Sequence, residues 1–390
     1  MAYHNFTEQH FRDRGWQQVA NEIKVEMIEL CSTDSNRVAL MMDQLLGTQW
    51  LTDSFHTTQV LVYNESATAE HVMAIHDYLR SRACNIENIV LFLTSHMGAA
   101  DWWQNYISVN KIRSFHVLET QAHGQWWDQY LTYGNNPVNR TWLKNKRITK
   151  LFGYHGGANQ HPEREFLFLF FKSLGLDSRI TYIQPKFTSW NQLSGWIEQI
   201  TYYQRQDIIN CLETQYQQWC HPWQSIDCEL PYETSSWKDH HGLYNPFSDC
   251  GLFAKTYGDT WIAIARESFN RYPFVTCTEK TVIPFIYGSV PVGLGLGFDR
   301  ACDAMGLTFP TGMSDLKHIY SMPDFIDRVD AVAKFLREAD TVSLDDRQDQ
   351  YNSNIDIYAR NIDWVLSGNI QEHLKRQFQL DCDNIAQQLP

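Results

Sequence analysis

The chain of 390 residues is short of positive charge: 32 Lys and Arg stand against 45 Asp and Glu, a formal net charge of −13. That excludes attachment to nucleic acid mainly through a basic surface, though not a single local basic groove. Its nine cysteines are an odd number, are scattered from Cys31 to Cys382 and form no C-x-x-C pair. A disulfide framework and a zinc ribbon are therefore not expected. No apolar run approaches the ~18 residues that a membrane helix needs, so no membrane partner is expected. The start, Met1-Ala2-Tyr3-His4-Asn5, shows no basic region leading into an apolar run, and the reading is a cytoplasmic protein.

Several chemical signatures are missing too. There is no G-x-G-x-x-G, which counts against a nicotinamide oxidoreductase, and no H-E-x-x-H. The one D-x-D is Asp381-Cys382-Asp383, close to the end of the chain. Asp239-His240-His241 could in principle hold a metal, but adjacent side chains diverge. No metal and no cofactor is expected. Internal repeats and low-complexity segments are absent.

What the chain has in quantity is aromatic side chains, with 14 Trp, 19 Tyr and 21 Phe. Hydrophobic residues make up 43%, enough for a sizeable core. Short apolar runs alternate with helical patterns: Gln59–Tyr63, then Ala69, Val72, Ile75 and Leu79, then Ile89–Leu93, a helix from about Ala99, and Arg113–Leu118. Such β-α-β alternation predicts a parallel sheet flanked by helices. The first 50 residues read mainly as helix and loop.

Around 133–147 the pattern lapses, and the basic cluster Lys144-Asn145-Lys146-Arg147 follows. A domain boundary is placed there. A second unit opens with the strand Ile148–Tyr154, runs into His155-Gly156-Gly157, and enters a helix at about Pro162, a favoured first helical residue. Strands are expected at Arg179–Ile183, Trp261–Ala265 and Val290–Leu294, with helix over 190–222 and two or three helices from about 322. The domains read as 1–146, 147–344 and a helical tail over 345–390 that packs back on the first.

The most informative stretch is Thr278-Glu279-Lys280-Thr281, followed by Ile283-Pro284 and Gly288-Ser289-Val290-Pro291-Val292. A helix starting near Thr278 or Thr281 offers free N–H groups and a positive dipole end to an anion such as a diphosphate. Lys280 adds a mobile positive charge, and Glu279 offers two acceptor oxygens suited to a ribose diol. Gly156 and Gly157 would let backbone approach phosphate closely.

The segment Thr278–Val292 resembles the nucleotide-sugar motif of the α1,3-fucosyltransferases. It is also similar to a group of glycosyltransferases encoded by phages and giant viruses. Trp261–Phe269, Gly295–Leu307 and Leu151–Arg164 resemble the viral group as well. The likeness spans roughly 148–340 and is only topological before that. It departs from the viral pattern at Ala158–His161, where more basic residues would precede Arg164.

The resemblance implies an α/β protein of the GT-B type, with two Rossmann-like parallel-sheet domains facing a cleft, and a metal-independent glycosyltransferase activity. It implies that Glu279 holds ribose hydroxyls, that Lys280 and Arg164 meet the diphosphate, and that Glu267 lines the donor site. Thr278, Thr281, Gly156 and Gly157 complete the donor set. The partner is a nucleoside diphosphate sugar.

An inverting reaction needs a general base, expected on a loop after a first-domain strand. Glu65 is chosen, with Asp101 and Glu119 as competitors. The tryptophan pairs Trp102-Trp103 and Trp126-Trp127 could form an acceptor platform, or could be core. The acceptor is read as the hydroxymethyl group of a modified pyrimidine in viral DNA, with Lys144, Lys146 and Arg147 as the basic groove. Alternatives are a glycan or protein hydroxyl, and a non-catalytic binding protein that keeps the fold.

Overall fold

The computed structural model describes residues 27–30, 40, 42–44, 46–56, 58–63, 67–94, 96–120, 138–156, 162–181, 188–201, 205–219, 256–265, 273–276, 279–312 and 316–386. In chain order these contain β1 (Met27–Leu30), α1 (Thr48–Asp53), β2 (Gln59–Tyr63), α2 (Ala69–Arg80), β3 (Ile89–Thr94), β4 (His96–Met97), α3 (Ala99–Asn110) and β5 (His116–Thr120). Next come α4 (Arg140–Asn145), β6 (Lys150–His155), α5 (Pro162–Ser173), β7 (Ser178–Thr181), α6 (Trp190–Ile200), α7 (Gln206–Trp219), β8 (Thr260–Ala265), β9 (Val275–Thr276), α8 (Glu279–Ile286) and β10 (Val290–Gly293). The rest is helical: α9 (Phe298–Ala304), α10 (Lys317–Tyr320), α11 (Phe325–Asp340), α12 (Leu344–Ser353), α13 (Ile355–Leu366) and α14 (Asn369–Ala386).

The chain divides into two compact units. The first takes Met1–Ala122, Tyr272–Thr276 and Glu372–Pro390; the second takes His123–Arg271 and Cys277–Gln371. The expected boundary at 146/147 thus falls within the second unit, and the tail helices before Glu372 group with that unit.

In the first unit a parallel sheet runs in the order β1-β2-β3-β5. Leu61, Tyr63, Ile89, Leu91 and Leu93 are fully buried, and Val72, Ile75 and Leu79 of α2 pack with them. Their spacing of three and then four residues puts those three side chains on one stripe of α2. Thr68 caps α2 by accepting the His71 N–H, while His71 Nδ1 accepts the Thr68 N–H at 3.0 Å. A separate antiparallel pair joins β4 to β9, so the short segment before the Thr-Glu-Lys-Thr stretch is a strand of this unit.

The second unit carries a parallel sheet in the order β7-β6-β8-β10. Every residue of β8 and β10 is buried, as expected of strands covered on both faces. Helix α5 is buried all along Glu163–Phe171, so the Phe166–Phe171 run lies inside the protein. Gly153 and Gly293 are places where backbone or ring comes too close for a side chain: a Cβ on Gly293 would lie 2.1 Å from Phe298 Cγ.

The structure corrects three expectations. The first 50 residues include β1, whose four residues, Met-Ile-Glu-Leu, are too few to show a period. The third strand begins at His116, where pairing with Val90 of β3 starts, and Phe115 before it stacks on Trp103. The tail from 322 forms four helices, α11 to α14, with Ser343 capping α12 beside the expected boundary at 344/345. No helix among the described residues is long and apolar enough to cross a membrane.

Candidate functional site at the strand ends of the second sheet

Sheet order decides where a site can form. From β6 the chain moves to β7 on one side and then to β8 on the other. Crossover connections leaving two neighbouring parallel strands in opposite directions open a crevice at their carboxyl ends, where ligands bind in open α/β sheets. Here those ends are His155, followed by Gly156, and Ala265. His155 is 3% exposed, and Gly156 is buried beside it.

The chain then enters α5 through Pro162, and the first turn holds three buried charged residues, Glu163, Arg164 and Glu165. A solvated helix start is thus excluded for Arg164. The two carboxylates sit at the positive end of the helix dipole, which favours them. Glu165 accepts the Thr188 N–H with both oxygens, at 3.0 and 3.1 Å, and so ties the head of α5 to the residue two before α6. Tyr154 donates its hydroxyl to the Arg164 carbonyl at 3.2 Å.

Arg328 of α11 closes the same edge. Its Nε donates to the Leu294 carbonyl, just past β10, at 2.7 Å, and its Nη1 donates to the Pro323 carbonyl at 3.0 Å. Burial pulls the Arg328 guanidinium down to about 10, with the negative charges of Asp324, Glu163 and Asp327 acting against that pull. Charges buried together in this way are costly unless matched in sign and hydrogen-bonded. Sequence reasoning gave His155 no role of its own and passed over Glu163, Glu165 and Arg328. The signal for Arg328 was present: it stands three after Phe325 and four before Val332, on the apolar stripe of α11.

The expected donor residues divide as follows. Glu279 opens α8, Lys280 follows it and is half-buried, and Thr281 is fully buried. Gly157, Glu267 and Thr278, and the expected base Glu65, lie outside the described residues, as do Trp126, Trp127 and Asp239–His241.

In the first unit Trp103 is 1% exposed, stacked on Phe115 and Tyr106, with its Nε1–H donated to Ser114 Oγ at 3.2 Å. It is core, and the acceptor-platform reading fails for it. Trp102 is half-buried against Phe274. Glu119 accepts the N–H groups of Gly98, Ala99 and Ala100 at 2.9, 2.7 and 3.2 Å, filling the start of α3 with an internal anion. Asp101 is exposed in the first turn of that helix.

Of the basic cluster, Lys144 and Arg147 are exposed, but Lys146 is 4% exposed and points inward. It cannot contribute to a surface groove. Asp381 lies within α14, and no group of three or more His, Cys, Asp or Glu side chains among the described residues is placed to hold a metal. The chain matches no protein-family model, and a search of the curated proteins finds no match.

Proposed function

We propose that the protein is a nucleotide-sugar-dependent glycosyltransferase of the GT-B type, acting without a metal in the cytoplasm of the cell, a host cell if the protein is viral. The observation that carries the reading is topological. From the strand ends at the switch point of the second sheet the chain leads to Gly156 and Arg164 after β6 and to Glu267 after β8, and the Glu279-Lys280 helix start opens the helix that returns to β10 of the same sheet.

In this reading the diphosphate of the donor takes the start of α8, with Lys280 and the buried Arg164 offsetting its charge. Glu279 receives the ribose hydroxyls, and Glu267 lines the donor wall. The acceptor oxygen attacks the anomeric carbon as the bond to the diphosphate breaks. The hydroxyl proton passes to a carboxylate, assigned to Glu65 if configuration inverts, and the nucleoside diphosphate leaves with the bonding electrons.

The acceptor first read from the sequence is the hydroxymethyl group of a pyrimidine in DNA. The burial of Lys146 removes one of the three cations proposed for a DNA groove, and this favours the second reading, a glycan or protein hydroxyl. Among the described residues, the half-buried Trp102 is a candidate for stacking on either acceptor.

The test is a transfer screen. UDP-, GDP- and other nucleotide sugars are paired with hydroxymethylcytosine DNA and with simple glycans, and mass spectrometry reads any mass gained. A sugar-sized gain on DNA that falls steeply with added salt assigns the DNA acceptor; a gain on glycan alone assigns the other. No hydrolysis or transfer with every donor would overturn the enzyme reading in favour of a binding protein.

A further inference from the structure

Lys146 is buried among oxygen atoms. Its Nζ lies 3.0 Å from the Tyr257 carbonyl, 2.8 Å from that of Tyr287, 3.1 Å from that of Gly288 and 2.9 Å from Ser289 Oγ. The Ser289 hydroxyl itself donates to the Thr260 carbonyl at 3.1 Å. Three carbonyls can only accept, and an ammonium has three N–H groups to give them; a neutral amine has two. The Trp142 and Tyr351 rings face the nitrogen at 6.0 and 5.4 Å, a setting that also favours a cation.

The backbone that carries Lys146 is fixed as well. Gln348 receives the Ile148 N–H at 2.9 Å and donates to the Lys146 carbonyl at 3.3 Å, and Tyr351 donates its hydroxyl to the Leu143 carbonyl at 2.7 Å. Two of the three carbonyls, those of Tyr287 and Gly288, directly follow the last residue of α8. Gly288 has φ +58°, and a Cβ there would meet Leu143 Cδ2 at 2.7 Å, so the turn that ends the helix requires glycine.

We infer that the Lys146 ammonium is a built-in cation that closes the carboxyl end of α8 and thereby sets the position of its other end, where Glu279 and Lys280 stand. The helix has eight residues, roughly 12 Å of length, and Pro284 inside it removes one of its own N–H donors. A helix so short has little stability of its own. Its position therefore comes from its anchors, and Lys146 meets the negative end of its dipole. Burial pulls the Lys146 amine well below its ordinary range, with Asp259 pushing the other way; the three carbonyl acceptors match an ammonium and oppose that pull. Lys146 is thus a positioning residue for the motif helix. Its effect on donor binding rests on the glycosyltransferase reading; its effect on the fold does not.

The test uses the full chain. Lys146→Ala removes the side chain from Cγ outward, the shape of n-propylammonium. The melting temperature of Lys146→Ala is expected to rise with n-propylammonium chloride and not with tetramethylammonium chloride at equal ionic strength. Lys146→Met, which keeps the bulk and loses the charge, is expected to melt several degrees below the parent. If Lys146→Ala does not fold, Lys146→Met carries the test alone. Parent-like melting of Lys146→Met, or equal response of Lys146→Ala to both salts, overturns the inference.

The positioning role is read separately, at a temperature where the variants are folded. Lys146→Met is expected to weaken binding of UDP- or GDP-sugar on the order of tenfold, while Asn354→Ala leaves it unchanged; Asn354 accepts the Thr311 N–H at 2.7 Å and donates to the Thr311 carbonyl at 3.0 Å, so its loss destabilises the same unit without touching Lys146. Equal affinity in Lys146→Met and the parent overturns the positioning role. Absence of donor binding in the parent itself would sink the glycosyltransferase reading and leave the melting experiment to judge the cation.

Discussion

In the first sheet the described strands lie in the order β1-β2-β3-β5, each neighbour following in sequence, so no crevice opens between diverging crossovers. In the second the order β7-β6-β8-β10 reverses direction at β6, the topology at which open α/β sheets bind ligands. The helix starts differ in the same sense. That of α3 is already filled by Glu119, whereas that of α5 holds Glu163, Arg164 and Glu165 around a buried guanidinium. Two sheets built from the same βαβ unit can therefore carry different chemistry. The first spends its strand-end carboxylate on its own backbone, and the second buries three charged side chains in the first turn of α5, of which Glu165 also holds a backbone N–H.

The largest effect that could break this contrast concerns Trp103. As core of the first unit, stacked on Phe115, it should cost about 3–5 kcal/mol when truncated to alanine. Trp102→Ala, at a half-buried site, should cost less and should act mainly on acceptor use. Urea unfolding measures the first and transfer assays the second. A Trp103→Ala protein of normal stability with impaired acceptor use would return the platform role to Trp103.

Next in size is Lys280→Ala. If the second unit holds the donor, loss of this cation should slow donor hydrolysis and transfer about 100-fold, at unchanged melting temperature. Unchanged turnover would remove Lys280 from the site and leave Arg164 as the only one of the two proposed diphosphate cations. A smaller effect tests how rigid the strand ends of the second sheet are. Gly293→Ala should cost about 1–3 kcal/mol, since its Cβ would overlap the Phe298 ring, and Phe298→Leu in the same chain should restore part of it. Additive losses in the double variant would show that the ring does not press on β10.

Much of this contrast could be read in the sequence where apolar runs were long enough. Gln59–Tyr63, Ile89–Thr94, Lys150–His155, Thr260–Ala265 and Val290–Gly293 stand out because strands buried on both faces are continuous in hydrophobicity. Pro162 at the first position of α5 and Ala99 at the start of α3 were legible from turn chemistry. β1 and β9 were not, because four and two residues carry no period. Nor was the reversal at β6, since strand order is set by long-range pairing that local pattern does not encode. Charge was the least legible signal. Lys146 and Arg164 look like solvated residues in sequence, and only their neighbours, Tyr257, Tyr287 and Ser289 for Lys146, explain why it lies inside.

The smallest expected effect tests the closed character of the first sheet through pH. Burial pushes the Glu119 carboxyl above its ordinary range, while the N–H groups of Gly98, Ala100 and Ala99 pull it down. The folded state then binds the Glu119 proton more tightly than the unfolded chain, whose glutamates titrate near about 4.3. Between that value and the raised folded one, the folded state carries the extra proton, so stability falls as pH rises through the window and is retained below it. Glu119→Gln cannot titrate, and should keep its stability as pH rises through that window. Its urea midpoint should change less with pH than that of the parent, whose midpoint falls relative to the variant as pH rises from the ordinary glutamate range. A parent whose midpoint instead rises relative to the variant over the same window would mean that the three amides outweigh burial. Glu119 would then be a carboxylate held ionised by α3, and the start of that helix a stronger anion site than burial alone allows.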